Sequence, residues 1–80
     1  MKVVEVTWID AASDESELRV EEMSKPPRVR TVGVLVQEFP TYISVAAEEL
    51  SHDSAPKTYR SVTYIPRGMI VPRGIRVLER

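Results

Sequence analysis

Alternating β-branched residues decide what this chain can fold into. Val4, Val6 and Trp8 are spaced by two, with Glu5 and Thr7 between them. Side chains on a strand point to opposite faces in turn, so this spacing predicts a first strand over Val3 to Asp10. The signal is strongest from Arg28 to Phe39, where Val32, Val34 and Val36 share one face and Leu35 lies on the other. Tyr42 to Ala47 reads as a third strand with Ile43, Val45 and Ala47 inward. Thr58 to Ile65 reads as a fourth with Val62 and Tyr64 on one side, and Ile75 to Leu78 as a closing fifth.

The links between these segments are short. Phe39-Pro40-Thr41 is a tight connection, Glu48 to Lys57 a polar loop ending in Ala55-Pro56, and Pro66-Arg67-Gly68 and Pro72-Arg73-Gly74 two turns around the apolar stretch Met69 to Val71. Asp10 to Asp14 breaks the first strand. Asp14 and Glu17 have the spacing of a capping box, so a short helix or an ordered loop is expected before Lys25-Pro26-Pro27 ends the segment. Gly33 inside a strand calls for sharp bending or a close backbone approach. The expected fold is mainly β: a five-stranded, small, partly open barrel, with residues 1–80 as one domain.

Length and composition bound the rest. At 80 residues the core is thin, which favours oligomerisation. The absence of cysteine removes disulfides and thiolate metal sites, and points to an intracellular setting. No apolar run is long enough to span a bilayer, and Glu5 comes too early for a signal peptide, so neither is expected. The net charge of −1 hides a division: residues 1–56 sum to −6, whereas residues 57–80 carry Lys57, Arg60, Arg67, Arg73, Arg76 and Arg80 against Glu79 alone. Strands that interleave can neutralise such blocks, or the basic quarter can form a patch.

Catalysis has no support in these residues. His52, the single histidine, sits in Ser51-His52-Asp53-Ser54, and neighbours in sequence cannot converge as a triad does. One histidine and no cysteine leave a metal site only carboxylates, and the three glycines do not form a phosphate loop. Neither an enzyme nor a bound cofactor or metal is expected.

The near-repeat Ile65-Pro66-Arg67-Gly68-Met69-Ile70 and Val71-Pro72-Arg73-Gly74-Ile75-Arg76 is the most unusual local feature. Proline and glycine at this spacing suit a type I turn with arginine at its apex. The arginines serve either solubility or bidentate recognition of phosphate or carboxylate. Trp8, Tyr42, Tyr59 and Tyr64 are the aromatic candidates for stacking on a base. Trp8 is in phase with Val4 and Val6, which favours a core role, whereas Tyr64 stands just before the first turn and faces the same way as Arg60. The candidate ligand-binding residues are therefore Arg67, Tyr64, Trp8, Arg60 and Arg73.

Two resemblances bear on function. Gly33-Val34-Leu35 in the bent strand and Arg67-Gly68 before the last strand resemble the layout of Sm-like and SH3-like small barrels. The Asp-x-x-x-Asn base-binding stretch of Sm-like proteins is absent, with Phe39-Pro40-Thr41-Tyr42 in its place. Val6-Thr7-Trp8-Ile9-Asp10-Ala11, Thr31 to Glu38 and Ile65 to Ile70 are together similar to short bacteriophage-encoded proteins. Compact phage proteins of this size include oligomeric sponges for the cyclic nucleotide signals of CBASS and related defences. The second resemblance implies a non-catalytic homo-oligomer in the cytoplasm of an infected bacterium, sequestering an anionic nucleotide between subunits. The first implies an interaction module for RNA or for a host or virion protein.

Overall fold

The computed structural model describes residues 2–11, 13 and 15–80. Five strands form one antiparallel sheet: β1 (Val3–Ile9), β2 (Arg28–Glu38), β3 (Tyr42–Leu50), β4 (Thr58–Pro66) and β5 (Ile70–Glu79). Their order is β4-β3-β2-β1-β5, so consecutive hairpins lay down four strands and β5 returns to the free side of β1. The sheet is curled but not closed, the open barrel-like arrangement expected of these five segments.

Register assigns the faces. Val4, Val6 and Trp8 pair with Gly33, Thr31 and Val29 of β2, and Leu35 pairs with Val45, which pairs in turn with Thr63. This inner row closes into a core of Val4, Val6, Trp8, Ile43, Val45 and Ile65, with Val29, Leu35, Met69 and Ile70 packed against it. Trp8 is only 9% exposed, and its indole N–H donates to Thr31 Oγ1 at 3.0 Å, satisfying the one polar atom that burial would otherwise strand. On β5, Val77 and Ile75 pair with Val4 and Val6 and so continue the inner row. Both remain 37% exposed at the open lip.

The curl needs close strands and interrupted ladders. A Cβ on Gly33 would stand 2.2 Å from the carbonyl oxygen of Ala46, so only glycine permits this approach of β2 to β3. One register shift lies between Leu35 and Gln37, leaving Val36 as the extra residue. Two more lie in the β1–β5 ladder, between Val3 and Val4 and between Val6 and Trp8. The free edges are interrupted as well: Ser61 on β4 has φ 56° and Arg73 on β5 has φ 60°. Such kinks spoil the flat hydrogen-bonding template that an exposed edge presents to other chains.

Several local expectations change. Val32 and Val34 share the outer face and Leu35 lies on the inner one, as their spacing predicts, but Val36 falls in the bulge instead of joining them. Ala47 is exposed, because by this point the hairpin has left the core. The polar loop is shorter than expected, since β3 and β4 stay paired out to Leu50 and Thr58. Arg60–Glu48 at 3.0 Å and Lys57–Glu49 at 3.1 Å tie that extension across its strands. Between β1 and β2 the described residues contain one 3-10 turn, Val20–Glu22, in an otherwise ordered loop. Asp14 of the expected capping box lies outside the described residues.

The two Pro-Arg-Gly segments differ. Pro66 has ψ 134°, so the first is a 3-10 turn over Arg67–Met69 rather than a type I turn beginning at proline. The second is no turn between strands; it is a bulge within β5, where residues between Ile70 and Ile75 face only Thr7 between Trp8 and Val6. Gly74 is buried there, and a Cβ would meet the Thr7 carbonyl oxygen at 2.5 Å and that of Val71 at 2.7 Å. Nothing lies within 4 Å of the same atom on Gly68. Gly33→Ala and Gly74→Ala should each cost about 2 kcal/mol or more through overpacking. Gly68→Ala should be neutral or stabilise by up to about 1 kcal/mol by restricting the unfolded chain. Urea denaturation of the three variants checks this contrast.

Candidate functional site: an outer aromatic shelf

The outer face of the β3–β4 hairpin carries the rings. Tyr42 pairs with Pro66 and Ser44 with Tyr64, so all four share one side of the sheet. Phe39, at the end of the tight β2–β3 connection, packs on Tyr42 with ring centres 5.0 Å apart, and Tyr42 meets Tyr64 at 6.3 Å, both tilted. The result is a shelf of three aromatic rings, with a shallow recess between Thr41, Tyr42, Tyr64 and Pro66. Tyr64 is 64% exposed, on the opposite face from its strand neighbours, the half-buried Thr63 and the buried Ile65. Beneath it Ser44 is buried and donates to Gln37 Oε1 at 2.8 Å, giving the shelf a satisfied polar floor.

Arg67 is anchored at the same end. Its backbone N–H donates to the Thr41 carbonyl at 2.9 Å and its Nε–H to the Phe39 carbonyl at 2.6 Å. The side chain therefore bridges the β4–β5 link to the β2–β3 connection and holds the backbone from which Phe39 projects. Its terminal nitrogens make no hydrogen bond or ion pair among the described residues. Arg67 is a structural clamp with donors left over.

The other expected site residues are placed elsewhere. Trp8 is a core residue, its ring covered and its N–H spent on Thr31. Arg60 shares a face with Tyr64, as expected, but is paired to Glu48 on the extended hairpin. Arg73 occupies the β5 bulge in the left-handed region, exposed and away from the shelf in the ladder. Of the five, Tyr64 and Arg67 come together. Phe39 and Tyr42 complete the group. Tyr42 was visible as an aromatic candidate, whereas Phe39 looked like a linker residue; its place beside a proline and a buried hairpin was the available signal.

The basic C-terminal quarter is not one patch. Lys57, Arg60 and Arg76 reach Glu49, Glu48 and Glu5, acids of the earlier part of the chain. Glu5 also receives Arg30 at 4.0 Å, making a cross-strand triplet over β2, β1 and β5. His52 Nε2 lies 3.0 Å from Thr58 Oγ1 on the surface. Among the described residues no three histidine, cysteine, aspartate or glutamate side chains cluster as a metal site would require, and no helix is long and apolar enough to cross a membrane.

Removing the Arg67 clamp should cost stability. Arg67→Ala loses a charge-assisted bond to a carbonyl and should lower stability by about 1 kcal/mol, whereas Arg60→Ala, breaking an exposed ion pair, should change it by less than about 0.5 kcal/mol. Thermal melts of the two variants check the order. Comparison of the chain with family models, with curated proteins and with solved structures finds no match.

Proposed function

We propose that this is a non-catalytic binding protein whose aromatic shelf captures an anionic nucleotide, acting as an oligomeric sponge for a cyclic-oligonucleotide immune signal in an infected bacterium. The observation that carries the reading is the exposed Tyr64 ring beside Tyr42 and Phe39, with Arg67 at the same turn. A flat π surface stacks on any base, and a guanidinium fork holds phosphate in two-point contact. Arg67 is positioned before a ligand arrives because its Nε–H is already fixed, so less rotamer freedom remains to be lost on binding.

Titration calorimetry against cyclic di- and trinucleotides and ADP-ribose-type signals tests the proposal. Tyr64→Ala should weaken binding at least about fivefold, in keeping with about 1–3 kcal/mol per stacked base. Arg73→Ala should leave it unchanged. Absence of binding below about millimolar would sink the nucleotide reading.

The recess itself is mostly carbon-lined, which favours a second reading: an Sm- or SH3-like module whose shelf takes an unstacked RNA base or an apolar anchor of a host or virion protein. Salt-sensitive binding of single-stranded RNA, or one partner retained by wild type and lost in Tyr64→Ala, together with indifference to cyclic nucleotides, would favour it over the sponge.

A further inference from the structure

The sheet carries apolar residues on both faces, and its own chain covers the outer one only in part. On the outer side Val3, Val34, Ala46 and Val62 form one continuous row across β1, β2, β3 and β4. Val32 stands beside that row and is 51% exposed, opposite Glu5. Charges next to the band are already matched: Glu5 lies between Arg30 and Arg76, and Arg60 holds Glu48. An apolar centre bordered by ion-paired polar groups has the composition of a protein interface. Ala46 in this row is buried, but Val3, Val34 and Val62 are left half-buried and Val32 exposed, where a second layer would cover them.

The whole chain is also under-buried. Its accessible surface is 6342 Å² at 9.1 kDa. A compact monomer of this mass exposes about 4,900 Å². The difference, about 1,400 Å², exceeds the roughly 800 Å² that each partner contributes to a stable standard interface. The radius of gyration of 16.0 Å agrees, since a compact domain of this length has about 12 Å. The projecting β3–β4 hairpin and the exposed Val20, Met23 and Leu78 contribute to that excess, and the valine band contributes through Val32.

We infer that two copies of this chain pack outer face to outer face, each covering Val3, Val32, Val34 and Val62 of the other. A second copy fits better than a charged partner. The surface is apolar with ion-paired charges at its border, which suits a self-complementary two-fold contact, and a net charge of −1 gives little repulsion between copies. Face-to-face packing also leaves the kinked edges of β4 and β5 unused. The pairing stands independently of what the aromatic shelf binds.

Sedimentation velocity on the full chain tests it. The expected mass is 18.2 kDa, twice the 9.1 kDa of one chain. Val32→Lys places an ammonium opposite Glu5, where it can be accommodated in the monomer, and should return the mass to 9.1 kDa with an unchanged β circular-dichroism spectrum. Val20→Lys, on the loop, should leave the dimer intact. Because the chain has no cysteine, Val32→Cys supplies a unique thiol whose alkylation should be at least about tenfold slower well above the dimer Kd than well below it. A monomeric wild type overturns the inference. So does a dimer in which the thiol at 32 reacts equally fast at both concentrations, and this measurement remains decisive even where Val32→Lys does not fold.

Discussion

The approach of Gly33 to the backbone of Ala46 is the constraint on which the rest of this structure depends. A flat five-stranded sheet of these residues would leave Val4, Val6 and Trp8 facing water. Because β2 comes so near β3 at that point, and because an extra residue is taken up at Val36, the sheet can curl across its own inner row. Ile43 and Ile65 then meet β1 and Met69 in one core. The bulge at Pro72-Arg73-Gly74 serves the same end on the other side, letting β5 follow the curvature of β1 through the shift between Val6 and Trp8. Both sites need glycine for the same reason: a neighbouring carbonyl occupies the place of a side chain.

The curl also separates the two faces by task. The inner face is spent on stability and holds Trp8, the largest aromatic residue, where it cannot reach a ligand. The outer face at the β2–β3 connection collects what the core does not need: Phe39, Tyr42, Tyr64 and the free end of Arg67. Stability and the candidate site are linked through Arg67, whose Nε–H bond to the Phe39 carbonyl joins the connection before β5 to the one before β3. A change there perturbs both the shelf and the turn, so Tyr64 is the cleaner probe of ligand contact.

Charge behaves in the same way. Along the chain the acids come first and the bases last, yet Glu5, Glu48 and Glu49 meet Arg76, Arg60 and Lys57 because antiparallel pairing sets early strands beside late ones. An electrostatic argument drawn from the linear order would have placed a basic surface where paired ions stand. At the shelf, aromatic surface stands beside the free end of Arg67.

Period-two spacing of valine and isoleucine was enough to establish five strands, the inward set Val4, Val6, Trp8, Ile43 and Val45, and a tight role for Gly33. These are local properties, fixed by the pleat and by the missing Cβ. The grouping of Tyr64 with Arg67 was also legible, since three residues cannot separate them far. The pairing partners were not. Whether Val32 faced in or out depended on a register with β1, and a shift of one residue reverses every side chain. The equal-looking Pro-Arg-Gly segments became a 3-10 turn and a buried bulge because only one of them lies against β1. The sequence by itself determined which segments would be strands and which residues were apolar; long-range pairing alone decided which of those residues form the core, the shelf and the partly covered outer band.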